Sequence, residues 1–314
     1  MADEVSRARW LLRRLAGGLG VLLGAATVTF LAMELIPGDP ARALVGSAPA
    51  TPQTMALIRH EMGLDLPLPV RYGHYLARLA SGDLGRSYQL QQPVSTIIGE
   101  QVWPTVQLAL AATLLAFAGA VLVATLTAGR WRVARGVAQA VELVAVSTPS
   151  FWLGLLLLSV FAFRLRLVPV GVDQGPAALI LPAVTLAVPV GAILTQVLRD
   201  GMEGALRQPF VVSVRARGVG ELGVRARHVL RHGLSPAVTL SGWLVGHLLG
   251  GAVLVETVFA RPGLGRVTLA AISSRDFPVV IAMVLFVAVV FVVVSTLVDG
   301  LYRIIDPRLR EATP

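Results

Sequence analysis

The chain of 314 residues contains no cysteine and no lysine, and only 14% of its residues are charged. The lack of cysteine excludes disulfides, thiolate metal sites and cysteine nucleophiles. The lack of lysine excludes the lysine of a GxxxxGK[ST] loop, so this chain cannot hydrolyse ATP through such a loop of its own. Because soluble domains have about a quarter of their residues charged, the composition argues against an ordinary soluble enzyme.

Long apolar runs are what the sequence contains instead, with 55% hydrophobic residues. A helix that crosses a bilayer needs about 20 such residues. Six runs reach this length, at residues 10–36, 103–128, 137–163, 177–198, 237–258 and 279–302. Proline at Pro149, Pro182 and Pro189 predicts kinks within these helices. We therefore predict an all-α polytopic membrane protein with six transmembrane helices.

All 27 basic residues are arginine, and their placement predicts the orientation in the membrane. Seventeen lie on the side that carries both termini, whereas five lie in the short loops opposite. By the positive-inside rule, both termini are expected in the cytoplasm. The first apolar run is too long for a cleaved signal peptide, and no A-x-A-like cleavage site follows it. Since the arginines flank apolar runs and form no single patch, the net charge of +9 favours a lipid membrane and no nucleic acid as partner.

Two segments are neither spans nor short turns. The first, residues 37–102, is an extracytoplasmic loop domain between the N-terminus with span one (1–36) and a core of five spans (103–314). Within it, residues 52–62 and 68–79 are predicted to form short helices, which Gly63-Leu64-Asp65 separates. The second segment is cytoplasmic and covers about 199–235, between the fourth and fifth spans.

In the cytoplasmic segment, apolar residues alternate with arginines at roughly helical spacing after Gly218. Leu222, Val224 and Val229 supply apolar positions, while Gly218 and Gly220 permit a sharp chain reversal between two short helices. Two interpretations stay open. The segment is either a basic amphipathic hairpin on anionic headgroups or a docking element that fits a cleft on a cytoplasmic partner.

A series of short motifs follows one order along the chain. In the cytoplasmic segment they are Ser213-x-Arg215-Ala216-Arg217-Gly218, His228-Val229-Leu230-Arg231 and Leu234-Ser235-Pro236. Elsewhere they are Pro37-Gly38-Asp39-Pro40, Gly63-Leu64-Asp65-Leu66-Pro67, Gly82-Asp83-Leu84-Gly85-Arg86-Ser87, Ser147-Thr148-Pro149-Ser150-Phe151, Pro262-Gly263-Leu264-Gly265-Arg266, Arg275-Asp276-Phe277-Pro278 and Asp306-Pro307-Arg308-Leu309-Arg310. In this order they resemble the motifs of ABC importer permeases of the peptide and nickel branch. The cytoplasmic segment resembles the coupling ("EAA") loop of that family, with Val214 where an alanine is usual.

The resemblance implies a type I ABC importer permease in a bacterial inner (plasma) membrane. Its implied partners are a homologous second permease subunit, two ATPase subunits that bind ATP and Mg, and an extracytoplasmic substrate-binding protein. It implies no catalytic residue, metal or cofactor on this chain, which agrees with the missing lysine. The implied ATPase-coupling residues are Ser213, Arg215, Ala216, Arg217, Gly218, Val219, Gly220 and Glu221.

Polar and small residues inside the spans are candidates for the translocation path. They are Ser147, Pro149, Ser150, Gly246, His247 and Gly250. Intramembrane ionisable groups are functional candidates by default. The alternatives are intrachain packing of the glycine face, serine hydroxyls that satisfy carbonyls freed by proline, and a hydrogen-bonded packing histidine. We expect Glu142 to reach the cytoplasmic interface and Glu256 to pair with Arg261 or Arg266.

In the extracytoplasmic segment, the candidates for docking of the binding protein are Asp39, Asp65, Asp83 and Arg86. The alternative for the aspartates is a structural one, because aspartate at a turn commonly caps a helix or closes an Asx-turn. His60 and His74 lie on separate predicted helices and are weak evidence for a nickel site.

The predicted function is that of an importer subunit, which couples ATPase motion to alternating access for dipeptides or oligopeptides. Permeases for nickel or glutathione are alternatives, since selection rests largely with the binding protein. An ion-coupled secondary transporter often shows repeats and buried carboxylates at midspan, and an intramembrane hydrolase needs a nucleophile beside its base. The sequence shows no repeat, and it offers His247 as the only histidine within a span and no serine at an informative distance from it.

Overall fold

The computed structural model describes residues 2–35, 41–42, 51–61, 63–129, 132–169 and 175–305. The helices are α1 Ala2–Leu35, α2 Pro52–Glu61, α3 Leu68–Ala80, α4 Val94–Thr127, α5 Arg132–Ser147, α6 Ser150–Leu157, α7 Ile180–Leu206, α8 Pro209–Ala216, α9 Glu221–Gly223, α10 Leu230–Thr239, α11 Ser241–Val258, α12 Leu264–Ser273 and α13 Phe277–Ile305. The π-helical turn Leu158–Arg164 extends α6, and the π-helical turn Val224–Val229 joins α9 to α10. The predicted all-α class is confirmed.

Among the described residues, four helices are long and apolar enough to cross a membrane, and a bent pair adds a fifth candidate. The four are Leu12–Leu35, Val94–Thr127, Gly175–Leu206 and Phe277–Leu297. The chain is thus a multi-pass membrane protein. The remaining apolar stretch of the predicted fifth span, Gly246–Val258, is shorter, and the count of six spans stays a prediction.

The predicted third span is broken at Pro149. Helix α5 ends at Ser147, α6 begins at Ser150, and the two are bent by 102°. Proline has no backbone N–H and disfavours a helical conformation in the residue before it. The sequence therefore predicts the position of the kink, whereas the angle of the bend is seen only in the structure.

The chain divides into two compact units, Met1–Val102 with Val267–Thr296 and Trp103–Arg266 with Leu297–Pro314. The first unit contains the two predicted short helices, which are α2 and α3. Arg71 of α3 donates two hydrogen bonds to Glu34 of α1, at 2.5 and 3.0 Å. The ring of Phe30 lies 5.2 Å from that of Tyr72, between centroids. Helix α3 is thus fixed to the C-terminal end of α1 by charge and by aromatic contact.

Helix α7 forms the centre of the second unit and packs against α5, α6, α10 and α11. Small residues bring its backbone close to its neighbours. A Cβ added at Gly191 would lie 3.3 Å from the carbonyl oxygen of Ala116, and one at Gly201 would lie 2.8 Å from the Cα of Gly233. Helix α4 contributes a buried stripe at four-residue intervals, Ala112, Ala116, Ala120 and Ala124, which Ala128 continues just beyond the end of the helix. Such small-residue faces allow the close helix packing typical of membrane proteins.

Candidate functional site: a helical hairpin and a cleft

The predicted chain reversal lies at Gly218. Helix α8 ends at Ala216, Gly218 has φ +79°, and α9 begins at Glu221. Glycine adopts this left-handed conformation at little cost. Arg215 donates from Nε to Glu221 Oε1 at 2.7 Å and from Nη2 to Oε2 at 3.2 Å, which closes the turn. This hydrogen bonding raises the pKa of Arg215 and lowers the pKa of Glu221, so both side chains are charged at neutral pH.

The inward face of this hairpin, residues 209–229, is apolar and packed. Val211, Val214, Val224 and Val229 are buried and belong to the same hydrophobic cluster as α7. Val214, which departs from the alanine of the family pattern, is therefore a packing residue. Burial of one valine side chain contributes roughly 1.5–3 kcal/mol relative to exposure, so the hairpin is held to the second unit as part of its core.

The outward face of the hairpin combines exposed apolar and charged residues. Val212 is 68% exposed and Leu222 is 56% exposed. The remaining coupling candidates on this face are Ser213, Arg215, Ala216, Arg217, Gly218, Gly220 and Glu221, all exposed, with Val219 half-buried. An apolar stripe with flanking charge is the pattern of a helix that fits into a groove on a partner.

Arg225 links the hairpin to α4, a role that sequence reasoning missed. Its side chain is buried, and it donates from Nε to the carbonyl of Glu221 at 3.1 Å and from Nη1 to the carbonyl of Thr125 at 3.3 Å. Thr125 lies in the last turn of α4, where carbonyls have no partner within the helix. Nothing in the sequence distinguishes Arg225 from its exposed neighbours Arg227 and Arg231.

Glu142 and Arg199 form a buried ion pair, and both of their predicted placements were wrong. Arg199 was assigned to the cytoplasmic loop, but α7 continues to Leu206 and leaves Arg199 1% exposed. Its Nη1 donates to Glu142 Oε1 at 2.7 Å, and its Nη2 pairs with Oε2. Glu142 therefore does not reach the interface as a solvated side chain, because a charge that is taken out of water requires a partner. This pair joins α5 to α7.

Glu256 has different partners from those expected. It accepts hydrogen bonds from the hydroxyl of Thr105 at 2.6 Å and from the backbone N–H groups of Gly265 at 2.8 Å and Arg266 at 3.3 Å. Of the two predicted partners, Arg261 and Arg266, Arg266 does bond to Glu256, but through its backbone N–H. Glu256 bonds to backbone N–H groups because α12 begins beside it, and the first N–H groups of a helix have no partner within the helix. The buried carboxylate therefore caps α12.

Most of the predicted path residues line one cleft of the second unit. Ser150, Gly246, His247 and Gly250 surround a cavity of about 340 Å³, together with Leu186 and Pro189 of α7. Ser147 and Pro149 line another cavity, of about 410 Å³, beside Phe151 and Trp152. The break at Pro149 thus separates the candidates into two groups.

The glycine face of α11 is open at two of its positions. A Cβ added at Gly246 or at Gly250 would meet no atom within 4 Å, whereas one at Gly251 would lie 2.8 Å from Leu186. Within the chain, neither Gly246 nor Gly250 is therefore required to be glycine by a close neighbour, and both interpretations of the face stay open. The residues that do pack closely are Gly191, Gly201 and the alanine stripe of α4.

The candidate docking residues of the external segment are partly structural. Asp39 lies outside the described residues. Asp83 accepts from the backbone N–H of Gly85 at 2.8 Å and from Arg78 Nε at 3.1 Å, which confirms the Asx-turn alternative. The Gly85 hydrogen bond lowers the pKa of Asp83 below its ordinary 3.8. The ionised Asp83 side chain therefore stabilises the folded chain at neutral pH, and this stabilisation is lost as the pH falls through the lowered pKa.

The other two docking candidates also bond within the chain. Asp65 bonds to His60 Nδ1 at 2.8 Å, and this hydrogen bond lowers the pKa of the aspartate. Arg86 donates from Nη2 to the carbonyl of Gln91 at 2.8 Å. Across the part of the chain that the structure describes, no three His, Asp or Glu side chains are grouped as a metal site. His60 thus has a local partner that does not depend on nickel.

The packed bundle and its long apolar helices define a multi-pass membrane protein. Residues 120–311 match the family model described as "Binding-protein-dependent transport system inner membrane component", and residues 7–113 match the N-terminal model of the same system. The chain therefore belongs to the family of binding-protein-dependent transport system inner membrane components. It is a transport permease subunit, as the resemblance predicted.

Similar proteins support this membership over almost the full length. A peptide transport system permease protein of Brucella abortus is 39% identical over 311 residues, which cover 96% of this chain and 98% of the relative. The glutathione transport system permease protein GsiC of Salmonella typhimurium is 37% identical over 305 residues, with the same coverage of each chain.

Proposed function

We propose that this chain is the permease subunit of an ATP-driven importer of dipeptides or oligopeptides in a bacterial inner membrane, with both termini in the cytoplasm. The observation that carries the proposal is the hairpin at Gly218, whose inner face is part of the core while Val212 and Leu222 on its outer face are exposed. A rigid element with an exposed apolar stripe is suited to receive motion from a neighbouring subunit.

In the proposed mechanism the hairpin fits a cleft on an ATPase subunit, which binds ATP and Mg. Val212, Ala216 and Leu222 supply the apolar contact, and the Arg215–Glu221 pair keeps the turn in register. Closure of the ATPases moves the hairpin. Because Val224 is packed in the core and Arg225 holds the end of α4, the spanning helices move with it.

The cleft lined by Ser150, Gly246, His247 and Gly250 is the proposed part of the translocation path. Hydroxyl and imidazole groups donate and accept hydrogen bonds, as peptide amides require. A homologous second permease subunit would cover the open glycine face. Passage of peptides is favoured by the name of the Brucella relative, and glutathione, itself a tripeptide, is the alternative that the Salmonella relative suggests.

An extracytoplasmic substrate-binding protein is the proposed source of the cargo and of its selection. We assign its docking to the loop domain of residues 37–102, with the permease core at 103–314. Asp39, Asp65, Asp83 and Arg86 stay the candidate residues within it. For Asp83 and Arg86, the hydrogen bonds to Gly85 and Gln91 favour a role in shaping the surface.

Cross-linking tests the contact between the hairpin and an ATPase subunit. Because the chain has no cysteine, Leu222→Cys introduces a single thiol that can carry a photoactivatable maleimide. In the assembled complex we expect an adduct between this position and an ATPase subunit. Leu90→Cys is the matched control, since Leu90 is also 56% exposed but belongs to the external segment. Labelling of lipid alone from position 222 would contradict the proposal and favour a hairpin that rests on headgroups.

A further inference from the structure

We infer that the hairpin tip of residues 87–92 is the surface on which the extracytoplasmic binding protein docks, and that Asp276 is the residue that positions it. The inference rests on the proposed importer function. It deepens that function by naming the docking element and the carboxylate that connects it to the start of the last span.

Asp276 is a buried acceptor for three donors of the external segment. It is 2% exposed and lies between α12 and α13. The Ser87 hydroxyl donates to it at 2.5 Å, the Tyr88 N–H at 3.0 Å and the Gln89 N–H at 3.2 Å. A buried donor or acceptor that loses its hydrogen-bond partner is destabilising, because it has also lost its water, so these three bonds are strongly favoured over open alternatives. The base of the tip is therefore fixed to the loop that leads into α13.

The tip itself is a closed hairpin. Ser87 donates its N–H to the carbonyl of Gln92 at 2.9 Å, and the Gln91 N–H donates to the carbonyl of Ser87 at 3.1 Å. The Ser87 hydroxyl also accepts from the Leu90 N–H at 2.9 Å, so this one side chain joins the tip to Asp276. Gln91 has φ +54°, a conformation that is uncommon for residues other than glycine. The surrounding hydrogen bonds hold the tip in this shape.

The exposed chemistry of the tip fits a folded protein partner. Gln89, Leu90, Gln91 and Gln92 are all exposed. Leu90 offers an apolar contact, and the side-chain amides of Gln89, Gln91 and Gln92 offer hydrogen-bond donors and acceptors around it. Protein–protein interfaces likewise combine an apolar centre with a polar rim. A lipid surface is a poorer fit, because interfacial segments present exposed basic and aromatic side chains, whereas Tyr88, the aromatic residue of the tip, is half-buried. The Arg86 guanidinium at the base is already bonded to Gln91.

Two of the motifs that the sequence carries separately meet at this point. Ser87 ends the motif at residues 82–87, and Asp276 belongs to the motif at residues 275–278. The residues are 189 positions apart in the chain but share a hydrogen bond. The backbone carbonyl of Asp276 also accepts a hydrogen bond from the N–H of Val280 in the first turn of α13. A displacement of the tip is therefore transmitted to the last span through Asp276.

The test measures how tightly the complete assembly in nanodiscs binds the extracytoplasmic protein that co-purifies with it, labelled with a fluorophore. We expect Leu90→Asp to weaken binding at least about tenfold without lowering thermal stability, because an exposed position has few contacts within the chain. Asp276→Ala is expected to weaken binding to a similar extent by releasing the tip. The double variant should bind no more weakly than either single variant, since both act on one contact. Leu165→Asp, at an exposed leucine outside residues 37–102, is the control and should bind normally.

Normal binding by Leu90→Asp would exclude the tip as the docking surface. Normal binding by Asp276→Ala, with only a loss of thermal stability, would show that the carboxylate is structural and does not position a docking element. Additive losses in the double variant would likewise contradict the inference. Failure of the proposed function gives a distinct result: the unmodified assembly would show no ATP hydrolysis stimulated by the bound external protein.

Discussion

Glu142→Ala is expected to lower the free energy of unfolding of the solubilised protein by about 3–5 kcal/mol, the cost of leaving one member of a buried ion pair without its partner. Arg199 is 1% exposed and points both terminal nitrogens at Glu142. Its guanidinium cannot be neutralised by deprotonation, because arginine keeps its charge in proteins. The measurement is denaturant-induced unfolding in detergent, followed by near-UV circular dichroism.

Arg135→Ala is the matched control for this experiment. Arg135 pairs with Glu203 at 3.0 Å in the same region, but the Arg135 side chain is half-exposed, so water already screens this pair and its removal should cost less than the loss of Glu142. A double change, Glu142→Leu with Arg199→Met, should recover most of the loss, since apolar replacement of a buried pair is often neutral. Equal stability of Glu142→Ala and Arg135→Ala would show that the buried pair does not join α5 to α7 as described.

Gly218→Val is expected to lower the number of peptides taken up per ATP hydrolysed by about tenfold, while the protein still folds and assembles. A β-branched residue at φ +79° is strained by roughly 1–2 kcal/mol, and that energy shifts the population of the correct hairpin by about tenfold. No atom lies within 4 Å of the added Cβ, so the effect comes from the backbone and not from a clash. The measurement is the ratio of peptide uptake to phosphate release in proteoliposomes.

Gly220→Val separates this effect from a simple loss of glycine. Gly220 also has no atom within 4 Å of an added Cβ, but its φ of −64° and ψ of 157° suit any residue. The ratio of peptide uptake to ATP hydrolysis of the Gly220→Val assembly should therefore stay near that of the unmodified assembly. An unchanged ratio in Gly218→Val would mean that the shape of the turn does not govern coupling.

The parts of the molecule that were predictable from sequence are those with local causes. Apolar runs of sufficient length predicted the helices, Gly218 predicted the reversal, and Pro149 predicted a kink in the third span, although not a break of 102°. In each case the deciding chemistry belongs to one residue or to a short periodic stretch. Helices α2 and α3 were predictable for the same reason.

The partners of the buried charged residues were not predictable. Glu142 meets Arg199, 57 positions away, and Arg225 meets the Thr125 carbonyl, 100 positions away. Hydropathy and spacing show that a charge lies in an apolar run, but they do not show which distant helix satisfies it. The open glycine face of α11 is similar: periodicity identified the face, whereas the open space beside Gly246 and Gly250 is seen only in the structure.

Uptake by reconstituted vesicles tests most directly whether this chain transmits motion from ATP-hydrolysing neighbours. Proteoliposomes would contain either the complete assembly or this chain alone, with a radiolabelled dipeptide outside. Uptake is expected only for the complete assembly, with ATP at the ATPase side and the binding protein opposite. Full uptake by the isolated chain, driven by a proton or sodium gradient without ATP, would contradict the mechanism.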